Sequence, residues 1–381
     1  MINRIRLINL TRKLIQIDSQ NPCGNESKIA AFVGGRMRAL GLKTAIFEFK
    51  KKRSNVIAAL GSGSRRPSLL ITPHLDTVPA GSNWRIPPFS GRIRGDKLYG
   101  LGATDCKGNL AVAMEVINSL AEEKVSLGYN LIFAATADEE SGSDLGLIPL
   151  LKKGILNPEA ALVLDADEFN IVITQKGLIH LKVKIQGKRA HGAYPWRGIN
   201  AIDLAVNILK ELKMHEFPGS YRNPHLGPPT MNIGTIRGGD KVNVVADWCE
   251  FELDFRFLPG QRSGEVLKHL RSVISRYTRK FKIEIEGIQA PYWIDSSHPL
   301  INYLTRAMRR FKIKPRIKGS EGATVITFFQ NKNIPAVATG FGSEKCAHAA
   351  NEYVKTGNLY KGALVLEEFL KSYSFNNNRR Y

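Results

Sequence analysis

Histidine and carboxylate residues follow several apolar runs of the sequence, where they could bind metal ions or transfer protons. The run at 69–72 is followed by His74 and Asp76, and the segment IFAATADEESGS carries Glu139 and Glu140. Imidazole and carboxylate groups are common ligands of divalent metals and common acid–base groups. Taken singly, His74 could be a capping or core histidine, and the acidic pair could be a solvated helix start.

Three further candidates occupy comparable positions. Asp105 lies in a glycine-rich loop before a helical pattern, Asp165 follows the apolar run AALVL, and His348 follows the predicted strand at 334–342. Asp105 alone could be only a helix N-cap. Together these groups would crowd like charges at one edge of a sheet, which requires compensation. We therefore expect two divalent cations, with zinc as the best match to this ligand set.

The elements that position these residues belong to an α/β domain. In residues 1–177, near-continuous apolar strands alternate with helical patterns, including one at 107–122 and a first helix ending near Asp18. This pattern predicts a mainly parallel sheet with helices on both faces. Ligand sites of such sheets lie at the carboxyl ends of the strands, where the candidate residues fall.

The pattern changes after residue 177. Residues 178–288 contain strands that alternate with period two and two helical patterns, in the order β-α-β-β-α-β. That order predicts a ferredoxin-like domain. We therefore expect a catalytic domain made of 1–177 and 289–381, interrupted by a lid or dimerisation domain at 178–288. The tail at 374–381 is expected to be frayed.

Composition restricts the class of protein. The chain has 381 residues, of which 43% are hydrophobic and 23% are charged, as in ordinary globular proteins. No apolar run approaches the roughly 18 residues of a membrane span, and the first residues do not resemble a signal peptide. The four cysteines are far apart, which argues against a disulfide framework. We expect a cytoplasmic protein with no membrane partner.

The formal net charge of +21 has two interpretations. One is attraction of nucleic acid or of anionic substrates, and the other is a general basic bias of solvated side chains. Basic clusters are scattered and occur without RNA-binding or zinc-finger motifs. We favour the general bias and do not expect a nucleic-acid partner.

Several motifs together resemble a known enzyme family. They are HLDTVPAG, GRIRGDKLYGLGATDCKGNLA, ADEESGS, GKRAHGAYPWRGINAI, DFRFLPG and AHAANEYV. The chain resembles the co-catalytic zinc amidohydrolases, which include acetylornithine deacetylase, succinyl-diaminopimelate desuccinylase, aminoacylase and glutamate carboxypeptidase. The resemblance extends over essentially the whole chain. It is specific for the family and poorly specific for the substrate.

The resemblance implies a role for each candidate in the α/β part. Asp105 would bridge two zinc ions, for which Co²⁺ or Mn²⁺ could substitute. His74 and Asp165 would complete one site, and Glu140 and His348 the other. It further implies that Glu139 is the general base, that Asp76 hydrogen-bonds the far ring nitrogen of His74, and that the Asp105–Cys106 peptide is cis.

Residues of the insert acquire roles by the same resemblance. His191 would polarise the substrate carbonyl and reach the site of a neighbouring subunit, which implies a homodimer formed through the lid. Asn243 resembles a second such residue. Arg256 resembles the anchor of the substrate α-carboxylate, a task suited to the guanidinium fork.

The chain departs from the family pattern at three places, and one of them is GLGATD, which lacks the arginine or threonine that frequently follows its first glycine. The segment LDAD offers two aspartates, and we prefer Asp165 to Asp167 as the ligand because Asp165 directly follows the apolar strand. Val325 lies near a position that is commonly acidic in the family. These departures leave open a homologue that binds only one metal ion.

The resemblance implies a dizinc hydrolase that removes the acyl group from an N-acyl amino acid. N-succinyl-diaminopimelate and N-acetylornithine are the leading substrates, and the motifs do not choose between them. The alternative within the class is a metal-dependent dipeptidase or carboxypeptidase acting on short peptides. A more distant alternative is a basic binding protein that has lost catalysis.

Overall fold

The central strands of the chain are short and apolar, and nine of the strands in the described residues form one sheet. The structure is a computed structural model that describes residues 1–61, 66–214, 222–322 and 324–375. The strands within these ranges are β1 Lys43–Lys50, β2 Arg53–Leu60, β3 Ser68–Thr72, β4 Arg92–Arg94, β5 Lys97–Tyr99, β6 Asn130–Ala135, β7 Ala160–Leu164, β8 Asn170–Gln175, β9 Gly177–Gln186, β10 Thr230–Gly238, β11 Trp248–Phe257, β12 Phe281–Gln289, β13 Tyr292–Trp293, β14 Arg316–Ser320, β15 Ala336–Thr339 and β16 Tyr353–Lys355.

The α-helices include the segment predicted at 107–122. They are α1 Arg4–Ile15, α2 Glu26–Ala39, α3 Lys107–Glu122, α4 Leu147–Lys152, α5 Ala201–Met214, α6 Ser263–Tyr277, α7 Pro299–Arg310, α8 Ile326–Gln330 and α9 Thr356–Ser372. The first helix ends before the predicted Asp18, and the carbonyl oxygen of Ile17 instead accepts a hydrogen bond from Lys107 Nζ. None of the helices in the described ranges combines the length and apolar character needed to cross a membrane. The predicted frayed tail lies outside these ranges from residue 376 onward.

The nine-stranded sheet has a parallel centre. Its strand order is β1-β2-β6-β3-β7-β15-β8-β13, and β14 also pairs with β8. The central strands β6, β3, β7 and β15 run parallel, whereas β1, β2, β8 and β13 pair antiparallel at the two sides. All five residues of β7 are buried, so both faces of the sheet are covered at this strand. The predicted mainly parallel α/β fold is confirmed.

The parallel centre brings the ends of non-consecutive strands together. β6 ends at Ala135, β3 at Thr72 and β7 at Leu164, and the three strands are direct neighbours. Parallel neighbours present their carboxyl ends at the same edge of the sheet. The residues that follow these strands therefore converge, although they are far apart in the sequence.

A buried ion pair joins the first and third helices. α1 packs on α3, and Arg6 Nε lies 2.6 Å from Glu115 Oε2. The Glu115 side chain is fully buried, while Arg6 also reaches Glu122 Oε1 at 2.7 Å. A charge that stays buried after losing its partner is costly. This pair therefore helps to hold the first helix against the helix that follows Asp105.

Replacing Arg6 by alanine should destabilise the protein, because the buried Glu115 carboxylate would keep the N–H of Asn3 as a donor but lose its cationic partner. We expect the free energy of unfolding to fall by about 2 kcal/mol, less than for a fully buried pair because Arg6 is partly exposed. Urea unfolding of the full chain measures the loss. The exposed Lys13→Ala on the same helix is the control, and equal losses in the two variants would contradict the assignment.

The chain divides into two compact units. The first comprises Met1–Ile173, Ile294–Lys318 and Phe328–Tyr381, and the second comprises Thr174–Trp293 and Gly319–Thr327. The boundaries predicted from the sequence, 177/178 and 288/289, lie within the second unit, a few residues from its observed ends at Thr174 and Trp293. Gly319–Thr327, which the sequence assigned to the last catalytic segment, groups with the second unit.

The second unit has a four-stranded antiparallel sheet of its own. Its strand order is β10-β11-β9-β12, and α5 and α6 pack together beside it. Alternate residues of β9 and β11 are buried, and they form a core with the apolar faces of both helices. The chain order β9-α5-β10-β11-α6-β12 and this sheet order confirm the predicted ferredoxin-like fold.

Candidate metal centre

His74 follows strand β3 and points its ring at two carboxylates. It is 2% exposed, and its Nε2 lies 2.9 Å from Asp105 Oδ1 and 3.7 Å from Asp165 Oδ1. The other ring nitrogen, Nδ1, lies 2.9 Å from the carbonyl oxygen of Asp76. A carbonyl oxygen can only accept, so Nδ1 carries a proton there. In the neutral ring Nε2 then has the free lone pair that a metal ligand requires.

His348 approaches the other side of Asp105. Its Nε2 lies 3.1 Å from Asp105 Oδ2 and 3.1 Å from Glu140 Oε2. Asp105 therefore presents one carboxylate oxygen to His74 and the other to His348. The two groups of potential ligands are His74, Asp105 and Asp165, and Asp105, Glu140 and His348. Within each group the ligand atoms lie within 4.8 Å of one another, which allows one ion per group with Asp105 shared.

The chemistry of this cluster suits cations. Burial raises the pKa of Glu139 well above its usual value, and the nearby Asp165 carboxylate adds to the effect. Burial also raises the pKa of Glu140 and of Asp165. Glu140 Oε1 is buried without a hydrogen-bond partner in the described part of the chain. An unpaired buried acceptor among crowded carboxylates fits a divalent metal, whose charge would compensate them.

Asp105 behaves differently from Glu139, Glu140 and Asp165. Burial alone would raise its pKa, but hydrogen bonds with His348 and His74 lower the pKa below the usual range. Asp105 is thus the carboxylate that stays ionised between the two imidazoles. A shared, ionised carboxylate is the type of group that can bridge two ions.

The carboxylate of Asp76 holds the turn that carries the acidic pair. Its Oδ1 accepts from the backbone N–H of Glu139 and its Oδ2 from that of Glu140, both at 3.1 Å, and Oδ2 also accepts from Asn21. The nearest distance from His74 Nδ1 to this carboxylate is 3.6 Å, longer than the 2.9 Å to the Asp76 carbonyl oxygen. The closest contact to His74 thus belongs to the main chain of Asp76, and its carboxylate positions Glu139 and Glu140.

A buried charged network lies behind the acidic pair and was missed from the sequence. Arg53 donates to Asp138 Oδ1 at 2.6 Å and to Glu26 Oε1 at 2.9 Å. Asp138 has a left-handed backbone with φ of 66°, and its Oδ2 accepts from the N–H of Leu145. This network shapes the turn at Glu139. Nothing in the local pattern around Arg53 or Glu26 indicates it.

The loop before α3 shows two features around Cys106. The Asp105–Cys106 peptide is cis, as the resemblance implies. Burial raises the pKa of the Cys106 thiol to about 12, and its sulfur accepts a hydrogen bond from the N–H of His74 at 3.1 Å. The cysteine therefore packs as a neutral thiol beside the two candidate ligands.

The choice between the two aspartates after β7 has a geometric answer. Asp165 lies in the group with His74, whereas Asp167 accepts from Asn170 Nδ2 at 3.1 Å and forms a β-bridge with Gly342. The structure thus brings Asp165, and not Asp167, to the cluster.

The remaining predicted residues lie in the second unit. His191 and Asn243 lie on two loops that run side by side. The backbone N–H of Gly192 in the first loop donates to the carbonyl oxygen of Asn243 in the second at 2.8 Å. Arg256 on β11 forms a fork with Asp254, with Nε to Oδ1 at 2.7 Å and Nη2 to Oδ2 at 3.0 Å. Val325 is buried in the same unit. Asp254 was not singled out from the sequence, although DFRF places it two residues before Arg256 on one strand face.

Comparison with known proteins gives one consistent result. The family model described as Peptidase family M20/M25/M40 matches residues 70–372. The acetylornithine deacetylase of Erwinia tasmaniensis is 29% identical over 361 residues, which cover 92% of each chain.

Two solved structures share the fold. A tripeptidase from Staphylococcus aureus has a TM-score of 0.82 at 27% identity, covering 97% of this chain and 98% of that one. A Bacillus subtilis protein described as a dinuclear metal-binding peptidase has a TM-score of 0.74 at 18% identity, with 97% of each chain covered. The likeness therefore extends over both units of the chain.

Proposed function

Because the chain belongs to peptidase family M20/M25/M40, and is thus a metal-dependent amidohydrolase, we propose that it removes the acyl group from an N-acyl amino acid. The observation that carries the proposal is the Asp105 carboxylate, which faces His74 with one oxygen and His348 with the other. The similarity to an acetylornithine deacetylase over almost the whole chain supports N-acetylornithine as one substrate, beside N-succinyl-diaminopimelate.

The residues that would hold two metal ions, with zinc as the first choice and Co²⁺ or Mn²⁺ as substitutes, are those of the two groups around Asp105. His74 and Asp165 would hold one ion, and Glu140 and His348 the other. When bound, such ions polarise the substrate carbonyl and lower the pKa of a water molecule. The sharing of Asp105 would keep the two ions close enough to act on the same amide.

Glu139 is the general base in this proposal. Its carboxylate takes a proton from water, whose oxygen then forms a bond to the amide carbon. When the carbon–nitrogen bond breaks, Glu139 returns the proton to the nitrogen, so that a carboxylic acid and an amine are released. The Asp76 carboxylate accepts from the backbone N–H of Glu139 and so holds this residue in place.

Arg256 is the proposed anchor of the substrate α-carboxylate. Replacing it by lysine keeps the charge but removes the planar fork, so we expect KM to rise about 10- to 100-fold with kcat changed little. Steady-state kinetics on acetylornithine measure this, and the exposed Arg237→Lys on β10 is the matched control. A substrate analogue whose α-carboxylate is replaced by an amide should bind the parent chain and the Arg256→Lys variant equally well. Unchanged KM in the Arg256 variant would remove this role.

We also propose that the protein is a homodimer joined through residues 178–288, with His191 acting in the partner's site. Sedimentation analysis tests the dimer. Mixing Glu139→Gln chains with His191→Ala chains should then restore activity well above that of either variant alone, since one mixed site has both groups intact. Absence of recovery in a stable mixed dimer would place His191 in its own subunit's site.

The alternative function is hydrolysis of short peptides. It is favoured by the similarity in fold to the Staphylococcus aureus tripeptidase, whose sequence is 27% identical to this chain. A panel of acetylornithine, succinyl-diaminopimelate, acetylated amino acids, dipeptides and tripeptides separates the two functions. Turnover of the acylated amino acids at a kcat/KM far above that of the peptides supports the deacylase, and the reverse order supports the peptidase.

A further inference from the structure

Glu352 lies beneath the loop that carries Asp105, and no role was assigned to it from the sequence. It is 2% exposed, and both of its carboxylate oxygens face the backbone of that loop. Oε1 accepts from Thr104 N at 2.7 Å and from Asp105 N at 3.0 Å, and Oε2 accepts from Gly102 N at 2.7 Å. One of these donors is the backbone N–H of Asp105 itself.

The loop is shaped to point these N–H groups at one acceptor. Gly102 has a φ of +79°, and a Cβ atom there would lie 2.7 Å from Thr77 Cγ2. The backbone carbonyl groups of Glu352 and Tyr353 also accept hydrogen bonds from this loop. Gly100 N donates to the carbonyl oxygen of Glu352, and the Thr104 hydroxyl donates to that of Tyr353.

The three backbone donors of this contact match a carboxylate better than an amide. A carboxylate has acceptor positions only, whereas a glutamine amide would bring its own N–H groups against backbone donors. A buried negative charge is retained only if such donors or a cation compensate it. The three N–H groups supply the hydrogen bonds, and the buried Lys107 in the following helix is a nearby cation.

The position of Glu352 in the chain links both candidate metal groups. His348, which faces Asp105 Oδ2 and Glu140, lies four residues earlier in the same segment. Between them Asn351 accepts from the backbone N–H of Arg85 and Ile86, which ties down the same segment. The segment therefore supplies one candidate ligand and, through Glu352, holds the peptide of another.

We propose that Glu352 is a positioning residue that fixes Asp105 relative to His348 and so sets the affinity for the pair of metal ions. The inference rests on the proposed metal-binding role of these residues. Glu352 itself touches neither substrate nor metal. Its effect is transmitted through the backbone of residues 102–105.

The test is metal binding by full-length Glu352→Gln, freed of metal and titrated with Co²⁺ in a calorimeter. We expect at least one of the two ions to bind about 10- to 100-fold more weakly than in the parent chain. The visible absorption spectrum of bound Co²⁺ should change as well, because its ligands shift. Glu352→Asp keeps the charge and should recover part of the affinity.

The control is Glu115→Gln, which alters another buried carboxylate of the first unit, away from the cluster. Thermal unfolding of the metal-free variants shows whether the two lose similar stability. Unchanged Co²⁺ affinities and spectrum in Glu352→Gln would overturn the inference, as would an equal weakening in Glu115→Gln. If Glu352→Gln does not fold, Glu352→Ala, which removes both acceptor oxygens, is titrated instead, and parental affinities and spectrum in that variant would overturn the inference. A parent chain that binds a single ion would instead refute the two-ion site.

Discussion

Replacing Glu139 by glutamine is expected to lower kcat about 10²- to 10⁴-fold while both metal ions remain bound. Glutamine has nearly the same shape, but its amide cannot accept and return a proton. Glu139 belongs to neither of the two groups of potential metal ligands, so its loss should leave metal affinity close to the parental value. The measurements are kcat with acetylornithine at saturating Co²⁺ and the metal content of the dialysed variant.

The adjacent residue gives the matched control. Glu140→Gln should lose activity together with one metal ion, because Glu140 lies in the group with His348. The two variants therefore separate proton transfer from metal binding at neighbouring positions. If Glu139→Gln loses an ion, or retains activity near that of the parent, Glu139 is not the general base.

Replacing Asp105 by asparagine is expected to weaken the binding of both ions, each by roughly 10²-fold or more, and to abolish turnover. Asp105 is the residue that the two groups share, and its carboxylate stays ionised between His74 and His348. An amide in its place is uncharged and offers a single acceptor oxygen. Calorimetric titration of the metal-free variant with Zn²⁺ or Co²⁺ measures both affinities.

Asp167→Asn is the control for this prediction. Asp167 lies two residues after Asp165 but belongs to neither group, so its variant should bind both ions as the parent does. Loss of only one ion from Asp105→Asn would show that the carboxylate is not shared. Equal losses in the two aspartate variants would point to a general effect of charge instead.

The secondary structure could be predicted because it follows from local patterns. The helical spacing at 107–122 coincides with α3 Lys107–Glu122, and the uninterrupted apolar run AALVL forms the fully buried strand β7. The period-two alternation that begins after residue 177 becomes β9, with every second residue buried. These patterns reflect the 3.6-residue and two-residue periods of the elements themselves.

The partners of buried charges could not be predicted in this way. Glu352 meets the Asp105 loop, and Arg53 meets Glu26 and Asp138, across chain separations from 27 to 250 residues. Asp76 was expected to contact His74 through its carboxylate, which lies 3.6 Å from His74 Nδ1 and also accepts the N–H groups of Glu139 and Glu140, a contact the sequence did not indicate. Such contacts depend on which loops pack against each other in the folded chain, and the periodicity of the sequence does not indicate this.

By itself, the sequence determined the types of element, the ferredoxin-like insert and the residues able to bind metal, since each is written in local spacing and side-chain chemistry. Only the tertiary structure decided which of these residues meet. The order β6-β3-β7-β15 places strands side by side that are not consecutive in the chain, and so brings His74, Glu140 and Asp165 around Asp105. It also brings Asp165, which the sequence analysis preferred to Asp167, into the group with His74. The physical reason is that strand neighbours are chosen by packing of the whole sheet, whereas a strand itself is chosen by its own residues.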